Sequence, residues 1–427
     1  MEIQELYALF LKSKGVATDT RKIEKNQLFF ALRGPAFNGN QFALQALESG
    51  ALATVVDDQS VPNENARVIY FPNALQALQG LARYHRRKFN ATLLAVTGSN
   101  GKTTTKELIH AVLSQKYPTL ATVGNRNNSI GVPLTLLDLN AEHRFAIVEM
   151  GASRQSEIGR LCAIAEPDLG YITNFGQAHL EGFGGFEGVV KGKSELYDFL
   201  KSSGGRAFVN LDDALQVQKS AGLKRFTFGQ NSCADVVFQY KKNKAFAELA
   251  YQNEAISSRL VGHYNLPNIA AAVAIGLFFD VAPNKIQAAI QAHTPGSNRS
   301  EIVDRGTYQI ILDAYNANPS SMRASLAAFK NRSGRKWVIL GDMYELGDAS
   351  PNAHQSIVDL LRELDFTQVS LIGNQFYQTH THGIENLKKF KTYKDFCKTL
   401  ANRAVTARFV LVKGSRSMAL ERVLESI

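Results

Sequence analysis

The sequence predicts an α/β fold of three domains. These are a small N-terminal α/β domain over residues 1–90, a central parallel-sheet domain over 91–297, and a C-terminal Rossmann-like, doubly wound domain over 298–427. Three observations predict this fold: a length of 427 residues, strand-like and helical segments that alternate along the chain, and a break at His293–Arg299. The length corresponds to about three domains of roughly 150 residues. The break, HTPGSNR, contains Pro and Gly, which end the preceding helical pattern.

Each domain shows its own succession of predicted elements. The first has short strands at Gln27–Leu32, Ala53–Val56 and Arg67–Phe71, with helical patterns between them. The central domain opens with a strand, a Gly-rich turn and a helix that stops before Pro118. Its predicted elements are Thr92–Thr97, Lys102–Lys116, Phe145–Glu149, Leu169–Thr173, a β-meander over 233–262 and a helix over Leu266–Phe279. The C-terminal domain has predicted strands at Tyr308–Asp313, Lys336–Leu340, Val369–Ile372 and Phe409–Val412, then a final helix, Met418–Glu425.

Composition excludes several classes of protein. Apolar residues make up 45% and charged residues 20% of the chain, as in ordinary globular proteins. The three cysteines, Cys162, Cys233 and Cys397, are far apart and lack CxxC spacing, which argues against a zinc site or a disulfide framework. No signal peptide and no run of about 18 apolar residues is found, so we expect a cytoplasmic protein without membrane insertion. The net charge of +10 is scattered, which favours anionic small substrates over nucleic acid.

The strongest motif is a phosphate-binding loop, AVTGSNGKTT, over residues 95–104. It lies between a predicted strand and a predicted helix, which is the setting that such a loop requires. Its glycines let backbone N–H groups face phosphate oxygens, and the helix N-terminus adds positive potential. Lys102 is placed to reach the β- and γ-phosphates, and the Thr103 hydroxyl to bind Mg²⁺. Val96 stands where the usual first glycine would be, so the loop is a variant.

Two further side chains follow strands of the same predicted sheet. Glu149 ends the strand in VEMGAS, and His179 lies in the segment after the next strand. Carboxyl ends of parallel strands open on the crevice where ligands bind, so both residues are candidate metal ligands. The alternatives are an exposed acid at a strand end for Glu149 and a structural histidine for His179.

Lys193 lies on the apolar stripe of a predicted helix, EGVVKGKSELYDFL. The stripe has spacings of three and four and contains Val189, Lys193, Leu196, Tyr197 and Leu200. A buried lysine needs a partner or must become neutral. A neutral lysine can react with CO₂ to form a carbamate, which is a metal ligand. The alternative is a lysine whose ammonium reaches the solvent along an apolar surface.

Three polar loops follow strands of the C-terminal domain. They are DAYNANP over Asp313–Pro319, GDMYELG over Gly341–Gly347 and KGSR over Lys413–Arg416. All three are predicted to line one edge of that sheet, where they suit ligand contact. For the first loop, a turn with a helix cap is the alternative.

Taken together, these motifs resemble the Mur ligase family, which forms amide bonds at the expense of ATP. The resemblance extends over essentially the whole chain. In the central domain it rests on GSNGKTTT, VGNRNNSIGVPLTLL (Val123–Leu137), EMGAS, TNFGQAHLEGFG and GHYNLPNIAAA (Gly262–Ala272). DAYNANP, LGDMYELG and VKGSRSM resemble the branch that adds D-alanyl-D-alanine, and TDTRKIEKNQLFFALRG resembles its UDP-binding domain.

The resemblance implies an activity and its partners. ATP would phosphorylate the terminal carboxylate of UDP-N-acetylmuramoyl-tripeptide, and the amine of D-Ala-D-Ala would attack the acyl phosphate. The products would be UDP-MurNAc-pentapeptide, ADP and phosphate, in peptidoglycan precursor synthesis. Two Mg²⁺ ions, a lysine carbamate formed from CO₂ and a monomeric state are expected with it.

The resemblance also implies site residues. Lys102, Lys193 and His179 would be catalytic, and Mg²⁺ would bind Thr103, Glu149, His179 and carbamylated Lys193. ATP would contact Gly98, Ser99, Asn100, Gly101, Lys102, Thr103, Thr104, Asn265, Asn268, Arg299 and Asp313. The other substrates would contact Thr20, Arg21, Asn127, Asn128, Asn316 and Asn318. Asn38-Gly39-Asn40 departs from the Asp-Gly-His that is common in the family.

Two alternative functions stay open at this point. One is another ligase of the same superfamily, adding a different amino acid or extending folate with glutamate. The other is a nucleotide-binding regulator that uses the phosphate loop without ligation. The sequence leaves open whether lysine or diaminopimelate is the third residue of the peptide substrate.

Overall fold

Three α/β units follow one another in the computed structural model, which describes residues 1–62, 66–241, 244–296, 298–400 and 405–427. Each unit is built around a parallel or mostly parallel sheet, as the alternation of elements predicts. Within the described residues, no helix is long and apolar enough to cross a membrane.

The N-terminal unit contains a four-stranded parallel sheet of order β1-β2-β5-β6 and a short β3–β4 hairpin. Its three predicted strands are present, each within three residues of the expected length. The elements are α1 (Ile3–Phe10), β1 (Val16–Ala17), β2 (Leu28–Phe30), β3 (Arg33–Gly34), β4 (Phe37–Asn38), α2 (Ala43–Glu48), β5 (Ala53–Val56), β6 (Val68–Tyr70) and α3 (Ala74–Arg86).

The central unit contains a seven-stranded parallel sheet of order β13-β12-β11-β10-β7-β9-β8, with the phosphate-loop strand β7 inside it. Its first elements are β7 (Thr92–Thr97), α4 (Lys102–Leu113), β8 (Thr119–Ala121), α5 (Gly131–Leu137), β9 (Phe145–Glu149), α6 (Glu157–Ala165), β10 (Leu169–Ile172), α7 (Leu180–Phe183) and α8 (Phe186–Ser203). They continue with β11 (Arg206–Asn210), α9 (Ala214–Lys219), β12 (Lys224–Gly229), β13 (Val236–Val237), β14 (Gln239–Tyr240), β15 (Phe246–Tyr251), β16 (Glu254–Val261), α10 (Leu266–Phe278) and α11 (Pro283–Ala292).

The predicted meander over 233–262 begins later than expected. Val236 pairs in parallel with Phe228, so β13 is an edge strand of the central sheet. Only β14, β15 and β16 form the antiparallel sheet.

Alternate residues of β7 point to opposite faces, and both faces are covered. Leu93 and Ala95 pack with one hydrophobic cluster, and Leu94 and Val96 with another. A strand buried on both faces is a continuous apolar run, which explains why the sequence predicted β7 to its last residue.

The C-terminal unit has a six-stranded sheet of order β17-β18-β22-β19-β20-β21, parallel except for the antiparallel edge strand β17. Its elements are β17 (Glu301–Asp304), β18 (Gln309–Asp313), α12 (Pro319–Lys330), β19 (Lys336–Gly341), α13 (Ser350–Leu364), β20 (Gln368–Ile372), α14 (Asn374–Gln378), β21 (Leu387–Phe390), α15 (Tyr393–Leu400) and β22 (Phe409–Lys413). The predicted final helix is instead two 3₁₀ turns, Arg416–Met418 and Leu420–Glu425, because Ala419 between them is left-handed, with φ +46°.

Helix α3 joins the N-terminal unit to the central one. Its apolar residues share one hydrophobic cluster with α5, α6 and the central sheet. Arg83 of α3 and Arg87, the residue after the helix, both pair with Glu166, the residue after α6, and Arg86 pairs with Asp168. These ion pairs hold the C-terminal end of α3 near the start of β10, while Gln76 and Gln79, nearer the start of the helix, line the candidate site.

Candidate active site

A cavity of about 1340 Å³ lies where the three units meet. Its walls come from the phosphate loop, the loops after β9 and β10, helix α3, and the DAYNANP loop of the C-terminal unit. Most residues proposed for the site from the sequence line it: Ser99, Asn100, Gly101, Lys102, Thr103, Thr104, Asn127, Asn128, Glu149, His179, Asn265, Asn268, Arg299, Asp313, Asn316 and Asn318. The parallel strands therefore bring residues that are far apart in the sequence to one edge.

The phosphate loop is tightly held at its two glycines. Gly98 has φ +135°, and a Cβ there would lie 2.0 Å from Thr173 Oγ1. Gly101 has φ +80°, and a Cβ there would lie 2.6 Å from Asn268 Oδ1. Both positions thus require glycine for conformation and for space. This close packing fixes the loop at the N-terminus of α4.

Lys102 folds back over this loop. Its Nζ donates hydrogen bonds to Gly98 O at 2.8 Å and Ser99 O at 3.3 Å. Burial lowers the pKa of Lys102; nearby Glu149 opposes this shift and Arg299 adds to it. Among the described residues the ammonium has carbonyl partners but no ion-pair partner, so a phosphate group would meet a poorly compensated positive charge.

Glu149 is a buried carboxylate with one unused oxygen. The side chain is 1% exposed, and Oε1 accepts a hydrogen bond from Asn127 Nδ2 at 2.8 Å. Oε2 is buried and has no hydrogen-bond partner among the described residues. An unpaired buried anionic oxygen is costly unless a cation or donor meets it. The alternative of an exposed strand-end acid does not match this burial.

Lys193 is buried on α8, and its ammonium does not reach the solvent. It is 1% exposed, and Nζ donates a hydrogen bond to Ala152 O at 3.1 Å. Nζ also lies 5.0 Å from the ring centre of Phe183. Burial lowers the pKa of Lys193 well below its ordinary value, and the charge of Lys102 adds to this effect. A neutral amine is therefore favoured here, beside Ala152 of the cavity wall.

His179 lies at the start of α7 and contacts the C-terminal unit. It is left-handed, with φ +54°, and its Nδ1 lies 2.6 Å from Glu345 Oε2. His179 lowers the pKa of Glu345, while burial opposes this shift. The sequence placed the loop that contains Glu345 at the ligand edge of the sheet, but it gave Glu345 no role of its own, since no local pattern connects it with His179.

Asn265 and Asn268 form a chain of side-chain hydrogen bonds below the loop. Thr105 Oγ1 donates to Asn268 Oδ1, Asn268 Nδ2 donates to Asn265 Oδ1, and Asn265 Nδ2 donates to Val261 O. The donor–acceptor distances are 3.1, 2.9 and 2.9 Å. This chain places both amides in the wall of the cavity.

Asp313 forms a buried ion pair that the sequence did not predict. Its Oδ2 accepts hydrogen bonds from Lys413 Nζ at 2.5 Å and from Ser325 Oγ at 2.9 Å. The Lys413 and Asp313 side chains are 3% and 15% exposed. Lys413 belongs to the KGSR loop, so two of the three polar loops meet at this pair.

Arg299 stacks on Tyr315 of the DAYNANP loop. The guanidinium carbon lies 3.5 Å from the ring centre, and the buried Nε has no hydrogen-bond partner among the described residues. Ser297 of the predicted linker lies outside the described residues. The stack orients the arginine at the cavity wall.

The two asparagines of the DAYNANP loop differ in their surroundings. Asn316 is exposed and lines the cavity. Asn318 is buried and caps α12, since its Oδ1 accepts a hydrogen bond from Ser321 N at 2.9 Å. Its Nδ2 donates to Asn100 Oδ1 at 2.7 Å. The helix cap considered from the sequence is therefore present, together with a contact to the phosphate loop.

Thr20 and Arg21 do not border this cavity. They form a 3₁₀ turn of the N-terminal unit, where Arg21 pairs with Asp19 and is 85% exposed. The N-terminal unit reaches the cavity instead through Gln76, Gln79 and Arg83 of α3, which the sequence did not single out. Asn40 is buried and holds Asp57 through two hydrogen bonds, so this variant residue is part of the local framework.

The described residues contain no cluster of three or more His, Cys, Asp or Glu side chains that could hold a metal ion. The donor set at the cavity is instead mixed. Among the described residues that line it, Glu149 supplies an oxygen without a hydrogen-bond partner, Thr103 a hydroxyl and His179 a ring nitrogen. The Lys193 nitrogen is not part of this lining and lies behind it, where it bonds to the carbonyl of Ala152. Such a set fits Mg²⁺ only when substrate oxygens or a modified lysine complete it.

Comparison with known proteins extends these observations to the whole chain. Family models described as the Mur ligase family catalytic domain, the Mur ligase middle domain and the Mur ligase glutamate ligase domain match residues 12–86, 96–276 and 298–416. A UDP-N-acetylmuramoyl-tripeptide–D-alanyl-D-alanine ligase of Bacillus subtilis is 35% identical, covering 97% of this chain and 93% of that protein. The enzyme of the same name from Escherichia coli is 31% identical, covering 99% and 95%.

Solved structures give the same result. MurF from Acinetobacter baumannii is 30% identical with a TM-score of 0.88, covering 99% of this chain and 97% of that chain. MurF ligase from Thermotoga maritima in complex with ADP is 27% identical with a TM-score of 0.85, covering 97% of each chain. The three-unit α/β fold predicted from the sequence is thus confirmed, and the chain belongs to the Mur ligase family.

Proposed function

We propose that this chain joins D-alanyl-D-alanine to UDP-N-acetylmuramoyl-tripeptide and converts ATP to ADP and phosphate. The product is the UDP-linked pentapeptide, a precursor of peptidoglycan. The names of the relatives and the ADP complex of the Thermotoga protein support this assignment. The observation that carries it is one continuous cavity that joins a phosphate loop to α3 and to the DAYNANP loop.

The cavity is large enough to hold more than one ligand. Single small-molecule sites occupy about 300–1,000 Å³, whereas this cavity has about 1340 Å³. ATP would occupy the side formed by the phosphate loop and Asn268. The tripeptide would extend from α3 past Asn127 toward the γ-phosphate, and the dipeptide would enter near Asn316.

The reaction must first bring two anions together. The carboxylate of the tripeptide attacks the γ-phosphorus of ATP, the bond to ADP breaks, and an acyl phosphate forms. Lys102, Arg299 and the N-terminus of α4 supply positive potential that offsets the repulsion. The amine of the dipeptide then attacks the acyl carbon, phosphate leaves, and the nitrogen loses a proton.

Mg²⁺ fits the residues at this cavity. Glu149, through its unpartnered oxygen, and Thr103 would hold the ion that accompanies the nucleotide. His179 and carbamylated Lys193 would hold a second ion. When bound, the ions withdraw charge from the phosphate oxygens and so favour the approach of the carboxylate.

The carbamate follows from the surroundings of Lys193. Its buried amine is held by one carbonyl, and burial favours the neutral form. The neutral amine adds to CO₂, and the new N–C bond yields a carbamate and a proton. The modified side chain replaces a disfavoured buried cation by an anion that a metal can bind.

We further propose a monomer that acts in the cytoplasm, where ATP is available. Each of the three units contributes to the same cavity within one chain, so the proposed site needs no second copy.

The test is phosphate release from ATP and Mg²⁺ with UDP-N-acetylmuramoyl-tripeptide, with and without D-Ala-D-Ala. We expect release only with both substrates, and a product that is heavier than the tripeptide substrate by two alanine residues, which is the dipeptide less one water. Tripeptides with lysine or diaminopimelate at the third position should be compared in the same assay. Release with a different amine, or without any amine, would contradict the proposed reaction.

A further inference from the structure

The contact between His179 and Glu345 joins two units of the chain at the cavity wall. His179 belongs to the central unit, and Glu345 follows β19 of the C-terminal unit. Nδ1 of His179 lies 2.6 Å from Glu345 Oε2. The pair has ion-pair distance, although the ring N–H is not aligned for a hydrogen bond in this arrangement. A second contact, from Glu181 N to Glu345 O at 3.3 Å, joins the same segments.

Both residues have an uncommon backbone conformation. His179 has φ +54° and Glu345 has φ +62°, although neither is glycine. Left-handed backbone at a histidine and a glutamate is unfavourable, and it persists only where the surroundings determine it. Two such residues face each other here, so both side chains are presented by constrained backbone.

The loop before Glu345 is held by hydrogen bonds to α13 and to the loop after β22. Met343 N donates a hydrogen bond to His354 Nε2 at 3.0 Å, and Tyr344 N donates to Ser415 Oγ at 2.9 Å. The buried carboxylate of Asp342 accepts hydrogen bonds from two N–H groups at the start of α14. The position of Glu345 therefore follows from fixed neighbours within its own unit.

A histidine that binds a metal ion usually directs its other ring nitrogen to a carboxylate, which fixes the tautomer and the ring orientation. Glu345 Oε2 lies within hydrogen-bond distance of His179 Nδ1, which is the distance that this arrangement requires. With the proton on Nδ1, beside the carboxylate, Nε2 carries the free electron pair. His179 itself lines the cavity.

We propose that Glu345 is a positioning residue for His179, holding Nδ1 so that Nε2 binds a divalent cation. Because the carboxylate and the imidazole come from different units, this cation site is complete only when the central and C-terminal units are in contact. The inference rests on the metal site of the proposed function, and it adds a residue that the sequence did not assign to the site.

The test uses Mn²⁺ and ADP with the whole protein, without tripeptide or amine. Free Mn²⁺ is followed by electron paramagnetic resonance for the wild type and for Glu345→Ala and Glu345→Gln. We expect Mn²⁺ affinity to fall about ten-fold or more in Glu345→Ala, and less in Glu345→Gln, which keeps an oxygen near Nδ1. Glu181→Ala is the matched control, since it removes an exposed carboxylate from the same contact region.

A second readout separates positioning from a general loss of structure. In ¹⁵N-histidine spectra, with His179 assigned from a His179→Gln variant, we expect the Nδ1–H tautomer in the wild type and a larger share of Nε2–H in Glu345→Ala. Equal Mn²⁺ affinities within two-fold, or an unchanged tautomer, would overturn the proposal. The ligation reaction is assayed separately, so either proposal can fail without the other.

Discussion

Asn318 Nδ2 donates a hydrogen bond to Asn100 Oδ1 at 2.7 Å and so joins the first turn of α12 to the phosphate loop. The same Asn318 side chain caps α12 through Ser321 N. Asn100 is held on its other side by Asn174, whose Oδ1 accepts from Asn100 N. One amide group therefore connects the helix of the C-terminal unit with the loop that would bind phosphate.

This contact predicts that Asn318→Ala weakens ATP binding without abolishing the reaction. Loss of the cap should reduce the free energy of unfolding by about 1 kcal/mol, and the freed loop should raise the KM for ATP. Asn318→Ser is the matched control, because serine can cap the helix but is too short to reach Asn100. The KM for ATP and the thermal unfolding of both variants are measured together. If the KM for ATP rises in neither variant, the contact with Asn100 does not have this role.

Lys102→Ala should abolish measurable turnover, a loss of at least about 10³-fold, because the ammonium acts on phosphate. The fold should be retained, since the partners of Lys102 Nζ among the described residues are carbonyls of its own loop. Steady-state phosphate release and the thermal midpoint test the two statements. Lys116→Ala, at an exposed lysine in the turn after α4, is the control. Substantial activity in Lys102→Ala would remove this lysine from the mechanism.

Lys193→Ala should be inactive and regain activity with added short carboxylates such as formate or acetate. Removing the side chain leaves space beside Ala152 and Phe183 that a small carboxylate can fill in place of the carbamate. Activity is measured against carboxylate concentration. Lys191→Ala, two residues earlier on the exposed side of α8, should behave as the wild type. Mass spectrometry or electron density that shows an unmodified Lys193 amine in the active wild type would contradict the carbamate.

The sequence predicted the local parts of this molecule better than its long-range contacts. Strands β7 and β9 were predicted to the residue because both are continuous apolar runs buried on two faces. Short or half-exposed strands such as β8 and the edge strand β17 were not predicted, since they carry neither a long apolar run nor a clear alternation. Their pairing depends on neighbours that are remote in the chain.

The same distinction holds for the candidate site. The phosphate loop and the buried face of α8 are local patterns, so the sequence indicates Lys102 and Lys193 directly. Lys413 pairs with Asp313 from 100 residues away, and Glu345 pairs with His179 across two units. No spacing rule connects such partners, because tertiary packing alone brings them together.

The Asp313–Lys413 pair lines the cavity but is buried, and it should contribute to the stability of the fold. Lys413→Met leaves the Asp313 carboxylate without its buried cation, which should cost about 3–5 kcal/mol in the free energy of unfolding. Lys413→Arg keeps the positive charge and should therefore lose less of the free energy of unfolding than Lys413→Met. Denaturant unfolding of both variants and of Asp313→Asn/Lys413→Met tests this. A double variant that is as unstable as Lys413→Met would show that the unpaired charge is not the cause.

Glu166 should make the contact between α3 and α6 sensitive to acid. Hydrogen bonds from Arg87 and then Arg83 hold the pKa of Glu166 below its usual value, against the opposing effect of burial. Its contribution is therefore present above the unfolded pKa of about 4.3 and is lost as the pH falls through the lower folded value. Both arginines are about half exposed, so the contribution should be at most about 1 kcal/mol. Thermal unfolding of the wild type and Glu166→Gln from pH 7 to pH 3 should show a difference that shrinks below about pH 4. If the difference between the wild type and Glu166→Gln stays constant from pH 7 to pH 3, protonation of Glu166 is not its cause.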